Sequence, residues 1–593
     1  MSDDLEDIRV DIQPRSTLST STITPKPRVA HGSTSPSVDP LTSSIHLPGL
    51  ASVWVKTFGC AHNISDSEYM LGLLSAYGYN IVKEKEDADC YVINSCTVKD
   101  PSQAAFMNTV RLATSQKIPV VICGCVPQAD RKVKGLEKVS TIGVMQIDRI
   151  VEAVTESLSG NIVQYLSLRG DLPSLHLPKI RRNPYIEIIP LSTGCLGNCT
   201  YCKTKHARGT LGSYKIEDIL KRARDAVSEG VMEIWLSSED TGAYGIDLGT
   251  SLSILLKRLC DEVLCDNDVM LRVGMTNPPY ILDQIDEVCE ILRRPNVFSF
   301  LHVPVQSGSN HVLVGEKGMN REYTREDFEK VCNALLKNVP DITIATDIIC
   351  GFPNESEEDF KETISLMEEF RFHICNISQF YPRPGTVAAR MKRIDTKVVK
   401  GRSREFSTLF NSFTPYKKYI SQIHTVYFGL ETDNTETMSV GHLKNYTKVL
   451  VPLNPELVGC KAEVVIEKGE RFHISGKVVE SSIKRLVPKP KKEGEKGEEE
   501  NCDELNYKVV ESCVGDGCGE VGGGGEEKKE EGCCGGGECG SGKEEEEVEE
   551  REGTVKKEGE KFDIRLAVGV GVPAVLGVGI LIYAGFKSYS RKR

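Results

Sequence analysis

The sequence predicts an α/β protein built from several units in a row. These are a parallel-sheet α/β domain, a partial or complete parallel (β/α) barrel, a small antiparallel β-barrel, a disordered linker and one transmembrane helix. Three observations carry that expectation. Short apolar runs alternate with helical stretches from Ser52 to about Phe410; β-rich segments follow to Leu486; a Glu- and Gly-dominated run then leads to an uncharged apolar stretch near the carboxyl end. At 593 residues the chain exceeds one ordinary domain, so more than one core is required.

Residues 1–49 are rich in Ser, Thr and Pro without apolar periodicity, a composition that cannot repay the entropy of ordering and reads as a disordered arm. In residues 50–165 the runs SVWVKTFGC, DCYVINSC and VPVVICGC alternate with helical stretches such as SDSEYMLGLLSAYGY, the pattern of βα units on a parallel sheet. A Leu/Pro/Arg-rich linker, 166–182, follows. Residues 183–410 repeat the βα pattern through IEIIPLSTGC, MEIWLSSED, MLRVGMT, SFLHVPVQSGS, ITIATDIICGFP and HICNISQFYPRPGT. That repetition predicts a partial or complete parallel barrel, whose site belongs at the carboxyl ends of the strands. Residues 411–486 hold HTVYFGLE, TKVLVPL, KAEVVIEKG and HISGKVVESS, a small barrel of a kind that often binds nucleic acid. Residues 487–563 form the charged, glycine-rich linker.

The last unit, 564–593, contains Leu566 to Phe586, twenty-one residues without a charge. At about 1.5 Å per residue they match the roughly 30 Å hydrocarbon layer of a bilayer. So close to the carboxyl end, such a segment predicts a tail anchor with the folded domains in the cytosol. The basic residues Lys587, Arg591, Lys592 and Arg593 beyond the span oppose the usual charge bias, so the orientation rests on the Met1 end, which has no basic region followed by an apolar stretch. A reducing compartment follows, in which the 21 cysteines act as metal ligands or free thiols. The formal charge of −12 argues weakly against a nucleic-acid partner, but much of it sits between Glu493 and Glu560.

Cys195, Cys199 and Cys202, in STGCLGNCTYC, have the CxxxCxxC spacing suited to one cube-shaped iron–sulfur cluster. Three thiolates leave one iron of a 4Fe-4S cluster without a protein ligand. That open iron is the signature of radical S-adenosylmethionine enzymes, in which the cofactor's amino and carboxylate groups fill the vacancy and its sulfonium is cleaved to a carbon radical. The competing readings are unrelated thiols or a zinc knuckle, which usually pairs CxxC with a second CxxC or a His pair; none lies within a compact distance. Cys60, Cys96 and Cys125 each stand at or just after the end of an apolar run, and the strand ends of a parallel sheet converge. They form either a second trio able to hold a cluster or a set of structural thiols. Cys90 and Cys123 fall inside strand runs and belong in the core.

The combination of GCAHN, NSCTV and GCVPQ with GCLGNCTYC, HVPVQSGS, DIICGFPNESEEDF and YPRPGT resembles the methylthiotransferases, over roughly residues 50 to 485. The loop CLGNCTYCKTKHARG and the segment SSEDTGAYG are most similar to the archaeal and eukaryotic branch that acts on threonylcarbamoyladenosine in tRNA. The resemblance implies two 4Fe-4S clusters, S-adenosylmethionine as cofactor and a terminal TRAM domain. The Cys195/Cys199/Cys202 cluster would generate the radical, and the Cys60/Cys96/Cys125 cluster would carry the sulfur, methylated by a second S-adenosylmethionine. It implies the anticodon loop of tRNA as partner, unidentified electron and sulfur donors, and anchorage in the endoplasmic reticulum membrane. Isopentenyladenosine or a ribosomal protein remain as alternative substrates, and a non-catalytic iron–sulfur RNA-binding scaffold as the alternative class.

Other polar residues admit two readings each. Glu239 and Gln306 sit at strand ends facing the cluster, where they either hold the ribose and amino-acid parts of the cofactor or order a loop. Lys203, Lys205, His206 and Arg208 either meet phosphates of the anticodon loop or form a solvated loop. Cys533, Cys534 and Cys539 lie among glycines and read as flexible thiols rather than a metal site.

Overall fold

The computed structural model describes residues 50–97, 100–168, 170–433 and 436–487. All of them fall in the first of the two units into which the chain divides, Met1–Val521. The arm at 1–49, the acidic linker with Cys533, Cys534 and Cys539, and the apolar stretch Leu566 to Phe586 lie outside the described residues. Among the described residues no helix is long and apolar enough to cross a membrane.

The first domain runs β1 (Ser52–Thr57), α1 (Ala61–Tyr77), β2 (Asn80–Val82), β3 (Cys90–Ser95), α2 (Asp100–Ser115), β4 (Val120–Gly124), α3 (Cys125–Ala129), β5 (Ser140–Ile142), α4 (Ile150–Leu158) and β6 (Gln164–Tyr165). Its strands form one sheet in the order β2-β1-β3-β4-β5-β6, and every pairing is parallel. β3 and β4 are buried along their whole length, which is why they read as continuous apolar runs rather than alternating ones. Side chains of β3 and β4 fall on both faces. Val92 and Val121 pack with Met70 and Ile150 on one, and Tyr91, Ile93 and Ile122 pack with Phe106 on the other. Cys90 and Cys123 belong to the first of these cores.

The second domain contains β7 (Ile186–Pro190), β8 (Ser192–Thr193), α5 (Thr204–Arg208), β9 (Gly212–Ser213), α6 (Ile216–Ser228), β10 (Glu233–Ser237), α7 (Leu252–Glu262), β11 (Met270–Arg272), α8 (Pro278–Ile281), α9 (Ile285–Leu292), β12 (Phe300–His302), α10 (Asn310–Val314), α11 (Arg325–Asn338), β13 (Thr343–Cys350), α12 (Glu357–Phe370), β14 (Ile374–Gln379) and α13 (Thr396–Ser412). Two parallel sheets, β7-β10-β11 and β12-β13-β14, meet at a parallel bridge between Leu271 and Val297. The six strands therefore follow one another in chain order. No pairing joins β14 back to β7 among the described residues, so the barrel is partial.

The third domain has β15 (Ile423–Thr432), β16 (Met438–His442), β17 (Lys448–Pro452), β18 (Cys460–Gly469), β19 (Ile474–Val478) and β20 (Lys484–Arg485). Pairing of β15 with β18 closes a five-stranded barrel, with β20 on its edge. Its β16–β17 turn plugs the amino end of the large barrel. Lys444 Nζ donates to the carbonyls of Leu292 (3.0 Å) and Val297 (2.9 Å) and to Ser299 Oγ (2.6 Å). Tyr446 packs on Phe298 at 4.9 Å, and the Arg272 guanidinium lies 4.6 Å from the Tyr446 and Trp235 rings. The opposite end, where the cysteine loop leaves β7, stays clear of this turn.

A buried ion network ties the linker to the first two domains. Lys179 Nζ lies 3.3 Å from Glu68 of α1 and 2.8 Å from Glu187 of β7, and Arg222 of α6 reaches Glu187 at 3.0 Å. Burial would raise the Glu187 carboxyl, but Lys179, Arg222 and Arg181 overcome it and hold it at about 2. A depressed carboxyl stabilises the fold above its ordinary value and loses that contribution as pH falls through the folded value, here between 4.5 and about 2. Lys179→Met leaves Glu68 and Glu187 buried without their shared cation, and is expected to lower stability at pH 7 by about 3–5 kcal/mol. Thermal melting of the variant beside the native chain, at pH 7 and pH 3, reads both effects.

Candidate active site

β1, β3 and β4 are neighbours in one parallel sheet, so their carboxyl ends lie side by side. Cys60 caps α1 just after β1, Cys96 follows β3, and Cys125 opens α3 directly after β4. The glycine before two of them permits the close approach. Gly59 has φ +110°, and a Cβ there would fall 2.8 Å from Cys96 Sγ; Gly124 has φ +87°, and a Cβ would fall 2.2 Å from Asn94 Oδ1. Gly124→Ala is expected to lower stability by roughly 1–3 kcal/mol through left-handed strain alone, with the collision added, as read by thermal melting.

Asn63, one turn into α1, ties the three loops together. Its Nδ2 donates to the carbonyls of Phe58 and Ser95, both at 2.9 Å, and its Oδ1 accepts from Arg208 (2.7 Å) and the Cys125 thiol (3.7 Å). Cys60 is at the surface, whereas Cys96 and Cys125 are buried. The three thiols are close enough that charge on Cys96 and Cys60 raises Cys125. Burial is the larger cause and pushes Cys125 up to about 12, with Arg208 pulling the other way.

Cys195, Cys199 and Cys202 are half-buried in the loop after β8, at the carboxyl end of the first barrel strand. Thr200 N donates to Met319 O and Ala388 N to Thr200 O, both at 2.9 Å, while Lys205 Nζ donates to Leu196 O (3.0 Å) and Asn198 Oδ1 (2.8 Å). Tyr201, Met319, Phe352 and Ala388 form an apolar nest against Cys199 and Cys202. Buried Arg321 donates to Cys199 Sγ (3.3 Å) and the Tyr201 hydroxyl (3.2 Å), and also reaches Asn277. Asn277 donates from its backbone (3.1 Å) and its amide (2.7 Å) to Asp240, whose carboxyl burial pushes up to about 6.

Both trios suit an iron–sulfur cluster by donor chemistry, since thiolates are the ligands such clusters take and each trio has a buried guanidinium to offset their charge. Among the described residues no group of three or more His, Cys, Asp and Glu is arranged to hold a single metal ion.

The expected role of Arg208 is corrected by what surrounds it. Arg208 is buried, 3% exposed, and donates to Asp66 (2.7 Å), while its Nε lies 3.2 Å from Glu239. It faces the Cys60/Cys96/Cys125 side and is no phosphate contact, because α5 packs on α3, with Ala207 against Cys125 and against Val144 of the loop after β5. One oxygen of the Glu239 carboxylate, Oε1, meets both Arg208 and His62 Nδ1 (3.0 Å), while Oε2 is buried without a hydrogen-bond partner. Asp240, the next residue, is in extended conformation; consecutive side chains then point to opposite sides, and Asp240 turns toward Cys195. Burial opposes ionisation of Glu239, but His62 and Arg208 hold it below its ordinary value.

The remaining candidates divide. Gln306 is buried with φ +74° and bridges Ile348 at the barrel mouth, a strained backbone in a non-glycine residue. Lys203 is half-buried, 3.9 Å from Asp130; Lys205 staples the cysteine loop; His206 is exposed. Asn63 and Asp66 had a readable signal in the i, i+3 spacing from Cys60 along one helix face. Asn277 and Arg321 had none, since Arg321 reaches Cys199 from far along the chain and Asn277 acts through Arg321 and Asp240.

A partial parallel barrel that carries CxxxCxxC at the carboxyl end of its first strand defines a radical S-adenosylmethionine protein, and residues 189–367 match the Radical SAM superfamily. Membership implies a 4Fe-4S cluster and S-adenosylmethionine. Residues 52–143 match "Uncharacterized protein family UPF0004". A threonylcarbamoyladenosine tRNA methylthiotransferase of Drosophila melanogaster is 50% identical over 441 residues, 73% of this chain and 79% of the relative. That of Homo sapiens is 47% identical over 458 residues, 76% of this chain and 78% of the relative. A probable one of Pyrococcus horikoshii is 40% identical over 362 residues, 60% of this chain and 83% of the relative. The chain belongs to the threonylcarbamoyladenosine tRNA methylthiotransferase family.

Proposed function

We propose that the chain is a radical S-adenosylmethionine enzyme that converts N6-threonylcarbamoyladenosine at position 37 of tRNA, beside the anticodon, to its 2-methylthio derivative. The observation that carries this reading is the seam between the two cysteine trios. Arg208 stands six positions after Cys202 in the chain, yet its guanidinium interacts with Cys125 and Cys60. The helix that follows the Cys195/Cys199/Cys202 loop thus carries a cation to the Cys60/Cys96/Cys125 side, which supports one site served by both trios.

We assign Cys195, Cys199 and Cys202 to the cluster that binds S-adenosylmethionine, and Cys60, Cys96 and Cys125 to a second 4Fe-4S cluster. When bound there, the first would supply one-electron cleavage of the sulfonium and the second would hold the sulfur to be transferred. The chain's own residues do the positioning. Arg321 offsets thiolate charge at Cys199, Asp240 and Asn277 present polar groups beside Cys195, and Lys205 fixes the loop between. Arg208 and Asn63 hold the Cys125 loop against the barrel. Position 37 lies in an unpaired loop, where turning a base out of its stack costs only a few kcal/mol.

We also propose that Leu566 to Phe586 tether the chain to the endoplasmic reticulum membrane with the catalytic domains in the cytosol, since twenty-one uncharged residues follow a run dominated by Glu and Gly. Truncation before Leu566 is expected to release the chain from membranes and leave its chemistry intact. Anaerobically loaded protein, given reductant, S-adenosylmethionine and an anticodon stem-loop bearing threonylcarbamoyladenosine, tests the function. The 2-methylthio nucleoside should appear by mass spectrometry. Product only from an isopentenyladenosine stem-loop, or from neither, would overturn the assignment.

A further inference from the structure

A small cleft lies beside the loops that carry the two trios. It is lined by Thr97, Val126, Asp130, Val133, Lys203 and Arg383 among others. Thr97 follows Cys96, Val126 follows Cys125 and Lys203 follows Cys202, so the cleft opens where the loops of both trios meet. Arg383, in the loop after β14, donates Nη1 to the carbonyl of Tyr201 at 3.1 Å, which holds it beside the cysteine loop. Lys203 has an exposure of 11% and stands 3.9 Å from Asp130, too far for a hydrogen bond.

The substrate proposed above brings one charge to this place. Its N6 group ends in a threonyl carboxylate and hydroxyl, whereas an isopentenyl group is neutral and apolar. C2 and C6 flank N1 on one edge of the pyrimidine ring, so a base whose C2 faces the seam carries its N6 group on that same edge, beside the seam. A carboxylate placed among Val126, Val133 and Thr97 is costly unless a cation meets it. Arginine meets carboxylates with two parallel hydrogen bonds, and lysine adds a point charge.

We propose that Arg383 and Lys203 seat the threonyl carboxylate of the substrate nucleoside, and so select threonylcarbamoyladenosine over adenosines with neutral N6 groups. This rests on the function proposed above. Lys203 exchanges its long contact with Asp130 for the carboxylate, while Val126 and Val133 provide an apolar wall for the threonyl methyl. A phosphodiester of the anticodon loop offers the same anionic chemistry to the two cations, and the arms of the test separate the two sources.

The test measures the affinity of the full chain for three anticodon stem-loops that differ only at position 37. One bears threonylcarbamoyladenosine, one the same nucleoside with its carboxylate converted to the primary amide, and one unmodified adenosine. For the native chain the carboxylate form should bind roughly 10- to 100-fold more tightly than either of the others, as befits one or two charge-assisted hydrogen bonds. Arg383→Gln and Lys203→Gln should each shrink that preference about tenfold or more and leave the affinity for unmodified RNA within about threefold. Arg383→Lys should recover part of it. Equal binding of amide and carboxylate forms by the native chain, which needs no variant to fold, would overturn the proposal. Equal weakening toward all three RNAs would also overturn it and point to a phosphate. Native protein that shows the preference but makes no methylthio product would sink the proposed function and leave the seat standing.

Discussion

Cys199→Ala is expected to abolish release of 5′-deoxyadenosine from S-adenosylmethionine on reduction. The three thiols of this loop are the only protein ligands the CxxxCxxC pattern offers, and removal of one leaves two irons without protein bonds. Loss of an outer hydrogen-bond partner of a metal ligand typically costs about 10–100-fold in affinity or activity, so loss of the ligand itself should exceed that range. The loop should remain folded, because its clamps to Met319 and Ala388 run through the backbone of Thr200 rather than through the thiol. The measurement is 5′-deoxyadenosine by chromatography together with iron per chain. Cleavage at the native rate by Cys199→Ala would remove this trio from the chemistry.

The second large effect belongs to Arg208. Its guanidinium is the cation between Asp66 and Glu239, and both carboxylates are buried. Arg208→Met would leave them facing each other without it, which should lower stability by about 3–5 kcal/mol. Cys125 would lose a hydrogen-bond donor at the same time. Arg208→Lys should be intermediate, because one ammonium cannot match a fork that meets Asn63, Asp66 and Glu239 together. Glu239 is held below its ordinary carboxyl value, so its contribution is present above pH 4.5 and is lost as pH falls below that. The stability gap between native chain and Arg208→Met should therefore be widest near neutral pH and narrow under acid. An unchanged melting temperature for Arg208→Met at pH 7 would contradict the burial and pairing described.

Much of this was legible in the sequence, for physical reasons that can be named. The parallel sheets announce themselves because strands buried on both faces must be apolar throughout, and the cysteines stand where those runs stop. Cys90 and Cys123 were separable from Cys96 and Cys125 by lying inside the runs rather than at their ends. Glu239 illustrates the limit. Its place at a strand end was readable, but its partners Arg208 and His62 were not, nor was it readable that the charge of Asp240, the next residue in an extended loop, bears on Cys195. Arg208 shows the same limit: a run of basic residues looks like a surface patch until a packed helix turns one of them inward. Arg321 and Asn277 had no local signal, since only the folded partial barrel brings Arg321 to Cys199 and Asn277 to Arg321. The role of Lys444 and Tyr446 as the plug of the large barrel was equally hidden, because a polar turn between two strands gives no hint of the partner it enters.

The division of labour between the two trios is tested most directly by Cys125→Ala. Both products are measured in one reaction on the threonylcarbamoyladenosine stem-loop: 5′-deoxyadenosine and the 2-methylthio nucleoside. Cys125→Ala should still release 5′-deoxyadenosine on reduction and should form no methylthio nucleoside. Native amounts of methylthio nucleoside from Cys125→Ala would contradict the assignment of sulfur delivery to Cys60, Cys96 and Cys125.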